Sequence, residues 1–577
     1  MSARANGLPE RRLGLRPWHR RGLVLALLLA VFGGMTYNAV AQSPTMDEQN
    51  HIARGYALLR TGDARLSLEH PPLINLLEAL PLGTGVALPL DHPSWENGNW
   101  YYFAATFLWE RNSKQDRMVF LARMPVIALT LMLGALASRW ARELGGPWVG
   151  LMASALVLLD PNILAHGSLA TTDLGITLMV LLTAYALWRV SGDAQFRGIA
   201  RPPKEGRRVA RSLHLFAAGL ALGAMLATKM SALLFWGLFG LIFVLDQRTS
   251  RRHNTWLHRV MWRGMLYAGL SLVALLVLWA SYAFEVAPVV EGGVPVPMGT
   301  YWRGVRTVFD TLQGGRPSYL MGETRLGGWP LYFPIAFGVK TPLPTLSLLL
   351  LAVVVRPGRR RRAHEQPRRA ALYLLVPVLA YWIVALRSDL NLGYRHLLPT
   401  LPMLFVWAAA RLARSSSRPV WRRISLGLAL WLCVETLWIA PHFLAYFNPV
   451  GGGPSGGWRV LADSNIDWGQ DLKYLRDYLA REAPDETVKL SWFGSSPPDQ
   501  YGIRYEPLPG WPHYSHMWFE PPTFDEEQPE PGLYVISVSN LVELPLVDKH
   551  FFTYFRQRPP DARIGYSVYV YRVEETP

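Results

Sequence analysis

Residues 22–41, GLVLALLLAVFGGMTYNAVA, form an uncharged apolar run. A helix needs about 20 such residues to cross a lipid bilayer, so this run predicts a membrane span. Arg20 and Arg21 directly precede it. A secretory signal peptide has a shorter apolar region and a clear cleavage site, so we interpret the run as a signal anchor. The expected class is therefore a membrane protein.

The composition supports this expectation. Of the 577 residues, 50% are hydrophobic and only 17% are charged, which disfavours a cytosolic enzyme and a disordered chain. The single cysteine, Cys433, excludes an internal disulfide framework. The net charge is +16, yet residues 441–577 hold 11 Lys and Arg against 19 Asp and Glu. The basic excess thus lies between apolar segments, which is typical of membrane topology and disfavours a nucleic-acid partner.

Apolar periodicity predicts about eleven spans, and arginine clusters fall between alternate ones. The positive-inside rule then places the N-terminus in the cytoplasm and the chain in the cytoplasmic membrane, as a multi-pass protein surrounded by membrane lipids. The expected fold class is mainly α, a polytopic helical bundle. The predicted spans are 22–41, 118–138, 147–160, 173–190, 212–228, 231–246, 264–284, 331–355, 370–387, 397–411 and 424–441.

The large non-apolar pieces fall on the side away from the arginines. Residues 42–117 and 285–330 are predicted outer loops, the first with juxtamembrane helices. Residues 442–577 follow the last span and predict a small extracytoplasmic α/β domain. Within it, Leu472, Leu475 and Leu479 have helical spacing, and 533–539 and 566–572 have strand composition.

Two acidic positions stand next to predicted spans. Thr45 and Glu48 have capping-box spacing, which explains Glu48 as a helix-terminal residue and leaves Asp47 less well explained. Asp173 begins the fourth span, where it is either an N-cap or a functional acid, since acids at a membrane boundary are rare. We therefore treat Asp47, Glu48 and Asp173 as candidate catalytic residues.

Other polar residues are expected at the same outer surface. Lys340 lies inside an apolar run, where a charge is costly unless it has a partner. His166 is a candidate too, although a lone histidine is more often a hydrogen-bonded structural residue. Several cations and acids on one membrane face suit a lipid-linked phosphate donor and an acceptor that must lose a proton. The candidate substrate-binding residues are His70, His166, Glu323, Arg325, Lys340, Arg395 and His396.

At this point the chain resembles the integral-membrane glycosyltransferases of the C superfamily. The resemblance rests on the acidic pair at 47–48, the HPP at 70–72, the LATTD at 169–173, and three longer runs. Within the superfamily it is similar to the bacterial phospholipid carrier-dependent glycosyltransferases, of the protein O-mannosyltransferase or lipid A aminoarabinose transferase type. The longer runs are YLMGE (319–323), NLGYRHLLP (391–399) and DSNIDWGQDL (463–472).

The resemblance implies a hexosyl or pentosyl transferase that moves a sugar from a polyprenyl-phosphate donor to a protein hydroxyl, a lipid or a glycan. Asp47 then matches the acid that acts as general base or orients the acceptor, and Asp173 matches the second acid. His70 stands where aminoarabinose transferases have a phosphate-binding lysine, so the phosphate ligand stays open among His70, Arg325, Lys340 and Arg395. The implied domains are a cytoplasmic N-terminus (1–21), the transmembrane glycosyltransferase domain (22–441) and the C-terminal domain (442–577).

Two alternative functions stay open beside the enzyme at this point. Intramembrane charges also suit a transporter or flippase of a lipid-linked substrate, although no internal repeat is evident. A non-catalytic protein with the same fold is a third possibility. Residues 463–469 partly match a calcium loop, but their Gly469 is misplaced and an Asx-rich turn fits better. We expect no metal site and no cofactor; a divalent cation is possible in this superfamily but is not indicated.

Overall fold

The computed structural model describes residues 17–191, 204–246, 255–355, 365–415, 419–510, 525, 527–545 and 550–574. Residues 1–16 of the predicted basic N-terminus, and most arginines of the predicted basic connections, lie outside these residues. The first half of the chain contains α1 (Pro17–Ala41), α2 (Glu48–Thr61), α3 (Leu73–Ala79), α4 (Pro93–Glu96), α5 (Trp100–Ala105), α6 (Gln115–Gly145), α7 (Pro147–Leu158), α8 (Pro161–Gly167), α9 (Thr172–Ser191), α10 (Lys204–Leu226), α11 (Ala232–Leu245) and α12 (Trp256–Ser281).

The described residues of the second half add further helices and nine strands. The helices are α13 (Gly299–Gly314), α14 (Tyr332–Lys340), α15 (Leu343–Val354), α16 (Glu365–Ala385), α17 (Leu401–Ser415), α18 (Pro419–Ile439), α19 (Gly453–Gly456), α20 (Leu472–Glu482), α21 (Val538–Leu541) and α22 (Thr553–Arg556). The strands are β1 (Val286–Pro288), β2 (Pro295–Pro297), β3 (Pro317–Leu320), β4 (Glu323–Leu326), β5 (Val488–Ser491), β6 (Tyr505–Pro507), β7 (Gly532–Ser537), β8 (Ala562–Ile564) and β9 (Val568–Val573).

The helical membrane bundle is confirmed, but the predicted number of eleven spans is not. Among the described residues, six helices are long and apolar enough to cross a membrane, or up to eight if each of two bent pairs is one span. The α7–α8 pair bends by 63° and the α14–α15 pair by 111°. Asp160 caps α8 at the first bend, and Pro342 disfavours helical backbone at the preceding residue, Thr341, which is extended at the second bend. A continuous apolar run in the sequence therefore need not be one straight span.

One end of the bundle is closed by a buried polar network. Arg369 Nη2 donates to Asp246 Oδ2 at 2.8 Å, and the Ser191 and Tyr373 hydroxyls lie 2.8 Å apart. Arg263 Nη2 also donates to Ser191 Oγ at 2.9 Å. These contacts bring together the ends of α9, α11, α12 and α16 that adjoin the predicted basic connections. Asp173 therefore lies at the opposite end of the bundle, since it is in the first turn of α9.

Helices α2 to α5 lie between α1 and α6, where juxtamembrane helices are predicted. The C-terminal part contains a five-stranded sheet of order β6-β5-β7-β9-β8. Strands β5, β6 and β7 are parallel, whereas β9 pairs antiparallel with β7 and β8. The predicted strands become β7 and β9, and the predicted leucine helix becomes α20, whose Leu472, Leu475 and Leu479 are buried against this sheet. The predicted α/β character of this region is confirmed.

Candidate active site

A cavity of about 730 Å³ lies at the Asp173 end of the bundle. Its walls divide into an apolar part and a charged part. The apolar part is formed by side chains of α11, α13 and α16, including Leu233, Leu234, Val308, Leu312 and Val384. The charged and titratable residues of the other wall are Asp47, His51, Arg54, Glu69, His70, Asp173, Lys229, Arg316, Arg395 and His396. An amphipathic molecule with an anionic head fits this division.

Asp47 faces the cavity from the residue before α2. Its Oδ2 accepts a hydrogen bond from Arg395 Nη1 at 3.0 Å, and about one third of its side chain is exposed. It makes no side-chain cap for α2, so the helix-capping explanation does not apply to it. Burial opposes ionisation, but the positive charge of Arg395 outweighs it and lowers the pKa of Asp47. Asp47 is thus an ionised carboxylate that faces open space.

Asp173 is the second acid at the cavity, and it is buried. Its Oδ1 accepts a hydrogen bond from Lys229 Nζ at 2.7 Å, and its Oδ2 lies 3.9 Å from Arg395 Nη1. Arg395 is therefore placed between Asp47 and Asp173. The Nε of Arg395 is buried and has no hydrogen-bond partner among the described residues. A buried donor without a partner is costly, so an anion in the cavity would gain a hydrogen bond there.

Glu48 lies outside the cavity, unlike its neighbour. Its side chain is fully buried and accepts hydrogen bonds from Arg123 Nε and Nη2, both at 2.7 Å, from Thr45 N and Oγ1, and from Ala170 N at 2.8 Å. The bond from Thr45 N is the capping-box contact that the spacing predicts. Arg123 also donates to the carbonyls of Ala39, Gln42 and Ser43. Glu48 therefore holds Arg123 and the backbone around it and does not line the cavity, so the structure does not bring it to the candidate site.

Of the predicted substrate-binding residues, His70, Arg395 and His396 line the cavity. His70 Nδ1 and His396 Nε2 are buried without a hydrogen-bond partner among the described residues. Burial lowers the pKa of His70 well below its usual value, with the charges of His51 and Lys229 adding to the effect. His70 is therefore a neutral imidazole that can donate or accept one hydrogen bond, but it does not supply the charge of the lysine it replaces.

The other four predicted binding residues lie elsewhere. Lys340 is buried and donates to the carbonyls of Leu444 at 2.8 Å and Asn465 at 2.6 Å, so its charge is used within the fold. His166 is buried beside Trp468, with ring centroids 6.0 Å apart. Glu323 and Arg325 belong to the β3–β4 hairpin. These four residues do not line the cavity, so the structure does not bring them to the candidate site.

Several residues at the cavity were not assigned from the sequence. Lys229, which donates to Asp173, is the first of these. His51 follows Asp47 by four residues, and Arg54 follows His51 by three. This helical spacing could have identified both residues. Arg54 Nη2 donates to Glu69 Oε2 at 2.9 Å, and its guanidinium lies over the ring of Trp100 at 4.2 Å.

A metal centre was not expected from the sequence. Among the described residues, no group of three or more His, Cys, Asp or Glu side chains could hold a metal ion. At 463–469, Asp463 accepts from Ser464 N and Asp467 from Ser539 N, so these carboxylates serve local turns and packing. The expectation of no metal site and no cofactor stays a prediction.

The family model described as dolichyl-phosphate-mannose-protein mannosyltransferase matches residues 64–289, less than half of the chain. The match confirms the resemblance to C-superfamily enzymes: the protein is a polytopic membrane glycosyltransferase. No curated protein matches the chain by sequence.

Solved structures also resemble it at low identity. ArnT from Cupriavidus metallidurans in the apo state is 12% identical over 96% of this chain and 97% of that chain, with a TM-score of 0.48. The Archaeoglobus fulgidus oligosaccharyltransferase is 11% identical over 91% and 71%, with a TM-score of 0.44. The S. cerevisiae Pmt1-Pmt2 complex bound to the sugar donor is 14% identical over 47% and 34%, with a TM-score of 0.34.

Proposed function

We propose that the protein transfers a sugar from a polyprenyl-phosphate donor to an acceptor hydroxyl of a protein, lipid or glycan. One observation carries the proposal: an ionised carboxylate, Asp47, faces the same cavity as Lys229 and Arg395, beside an apolar wall. The matched family description names a polyprenyl-type phosphate sugar as donor. The apolar wall accommodates the isoprenoid chain, and the cations accommodate its phosphate.

The charges indicate how the reaction would proceed. The acceptor oxygen attacks the anomeric carbon, the bond from that carbon to the phosphate oxygen breaks, and polyprenyl phosphate leaves. Negative charge grows on the phosphate as it leaves, so Arg395 and Lys229 would stabilise the transition state more than the ground state. The acceptor proton goes to Asp47 as general base. A single displacement of this kind inverts the anomeric configuration.

Phosphate binding would also change Asp47 itself. Arg395 lowers the pKa of Asp47 while the two are paired, which makes Asp47 a weak base. A phosphate that engages Arg395 through its unpartnered Nε would share that positive charge. Asp47 would then become more basic only when the donor is bound.

The test uses the purified full chain in lipid nanodiscs with a panel of polyprenyl-phosphate sugars and a hydroxyl acceptor. We expect release of free polyprenyl phosphate together with a glycosylated acceptor. Movement of the intact donor across the bilayer without cleavage would support a flippase instead. Mass spectrometry of lipid and protein glycans after deletion of the gene would identify the sugar and the acceptor.

We also propose that the cavity opens at the extracytoplasmic face of the cytoplasmic membrane. The support is that the ends of α9, α11, α12 and α16 near the arginine-rich connections lie together, opposite Asp173. A reporter that is active only outside the cytoplasm should be active when fused after Pro577 and silent at Gly206. The opposite pattern would reverse the orientation.

A further inference from the structure

The sequence run 463–472, DSNIDWGQDL, leads into the C-terminal sheet region and does not line the cavity. It nevertheless contacts the side chain of Arg395 and the residues that directly precede Asp47. We infer that Trp468 and Asn465 of this run, called the 463–472 segment below, are positioning residues for Arg395 and, with Ser43, for Asp47. The inference rests on the proposed function and extends it to residues far along the chain.

The contact to Arg395 is a stack. The Arg395 guanidinium lies over the Trp468 ring, 4.2 Å from its centroid, and Trp468 is 1% exposed. A desolvated cation–π contact of this kind fixes the plane of the guanidinium. With Nη1 bound to Asp47, the stack determines where the unpartnered Nε is directed. Trp468 therefore fixes the direction in which Arg395 Nε can donate a hydrogen bond.

Asn465 holds the backbone next to Arg395. Its Oδ1 accepts from Tyr394 N at 2.9 Å, and its Nδ2 donates to Tyr332 Oη at 3.0 Å. Ser464 Oγ donates to the carbonyl of Leu392 at 2.8 Å. The 463–472 segment thus binds the chain on the N-terminal side of Arg395 at two points.

The same segment holds the residues before Asp47. Met46 N donates to the carbonyl of Trp468, and Ser43 N to that of Gln470, both at 3.0 Å. Ser43 Oγ donates to the carbonyl of Gly469 at 2.9 Å and accepts from Leu472 N at 2.9 Å. Asp47 and Arg395 are 348 residues apart in sequence. The 463–472 segment contacts the chain beside each of them and so supports both. Such support is what holds reacting groups in a productive geometry.

The first test needs no substrate. Arg395 is labelled with an arginine-specific dicarbonyl in the full-length protein, and the labelled peptide is quantified by mass spectrometry. Trp468→Leu should speed labelling of Arg395 several-fold, and Trp468→Phe should have an intermediate effect. Trp140→Leu is the matched control, because Trp140 is equally buried but packs against Tyr185 and Trp188 in another part of the bundle. Equal labelling in the Trp468 variants and the control would overturn the inference.

The second test distinguishes the effect of the segment on Arg395 from its effect on Asp47. Trp468→Leu should weaken binding of a polyprenyl monophosphate by about 5- to 30-fold, the equivalent of a cation–π contact. The loss should disappear in an Arg395→Gln background, because Trp468 then has no cation to orient. Ser43→Ala removes the hydroxyl that bonds Gly469 and Leu472, so the residues before Asp47 are held less firmly. This variant should bind polyprenyl monophosphate within about twofold of normal but should have a lower turnover number.

Equal loss in both backgrounds would assign Trp468 a merely structural role. If Trp468→Leu fails to fold, Trp468→Phe is compared in the same two backgrounds, and a smaller loss of binding is expected. If the unmodified protein binds no polyprenyl phosphate, the proposed function fails, while the labelling result still decides the positioning role.

Discussion

Asp47 and Glu48 are adjacent carboxylates in opposite environments. Glu48 is fully buried and accepts hydrogen bonds from Arg123, Thr45 and Ala170. Asp47 is one-third exposed, accepts one bond from Arg395, and faces the cavity. A carboxylate saturated by donors has no lone pair left for a substrate, whereas one with a single partner does. The pair therefore divides into one acid whose oxygens are occupied within the fold and one acid that remains available to a ligand in the cavity.

The largest expected effect on transfer is that of Asp47→Asn. The amide keeps the shape but cannot take a proton, so the rate should fall by about 10²–10⁴-fold, as for loss of a general base. Stability in detergent and binding of polyprenyl phosphate should be kept. Steady-state transfer assays measure the first and a binding assay the second.

Asp63→Asn is the control for Asp47→Asn, since Asp63 pairs with Arg65 at the other end of α2 and does not line the cavity. This variant should transfer sugar normally. Near-normal transfer by Asp47→Asn would mean that the division between the two acids is wrong.

Arg123→Met tests the structural half of the comparison. It leaves Glu48 as a buried carboxylate without its cation, which typically costs about 3–5 kcal/mol of stability. Thermal unfolding in detergent should show a large drop, and folded yield should fall. Arg111→Met is the control, because its pair with Asp91 is solvent-exposed and should be worth at most about 1 kcal/mol. Similar losses in both variants would contradict a special role for the Glu48 site.

His51 sharpens the comparison through pH, because it lines the cavity one turn after Asp47. Burial lowers its pKa from 6.5 to about 4, although the charge of Asp47 acts in the opposite direction. Between those values the unfolded chain binds a proton that the folded protein does not, so stability decreases as pH falls from about 6.5 to 4. This single group accounts for about 3 kcal/mol over that window.

His51→Gln should remove that part of the acid sensitivity. Unfolding measured at pH 7.5 and pH 4.5 should show a smaller difference for the variant than for the unmodified protein. An unchanged difference would place the acid sensitivity elsewhere.

Much of the fold follows from local sequence properties, whereas much of the site does not. Apolar runs and arginine clusters predicted the helical bundle, and Asp47 and Asp173 were identified as acids at its surface. The Asp47–Arg395 bond spans 348 residues, and no local pattern specifies such a partner. Lys340 shows that a local pattern can also suggest too much. A lysine within an apolar run suggested substrate binding, but Lys340 donates its hydrogen bonds to the backbone carbonyls of Leu444 and Asn465. Hydropathy predicts that a segment is buried. Only the tertiary contacts show which of its charged side chains are bonded within the fold and which can still bind a ligand.

Glu78 supplies the smallest expected effect on transfer and the clearest contrast with Glu48. Both side chains are fully buried, but neither oxygen of Glu78 has a hydrogen-bond partner among the described residues. Burial raises the pKa of Glu78 well above its usual value, and the charges of Glu48 and Asp173 add to this. The residue is thus a neutral acid, and Glu78→Gln replaces it with a neutral group of similar shape. Transfer should stay within about twofold of normal, unlike for Asp47→Asn.

The stability of Glu78→Gln should change with pH in a defined direction. In the unmodified protein the folded state keeps a proton that the unfolded state loses above its pKa of about 4.5, so stability falls as pH rises. The glutamine variant lacks this proton and should gain stability relative to the unmodified protein, by up to about 1.4 kcal/mol for each pH unit between the two pKa values. Unfolding measured at pH 5 and pH 8 tests this. A relative loss at the higher pH would mean that Glu78 is ionised and has a partner, and the contrast between the two buried glutamates would disappear.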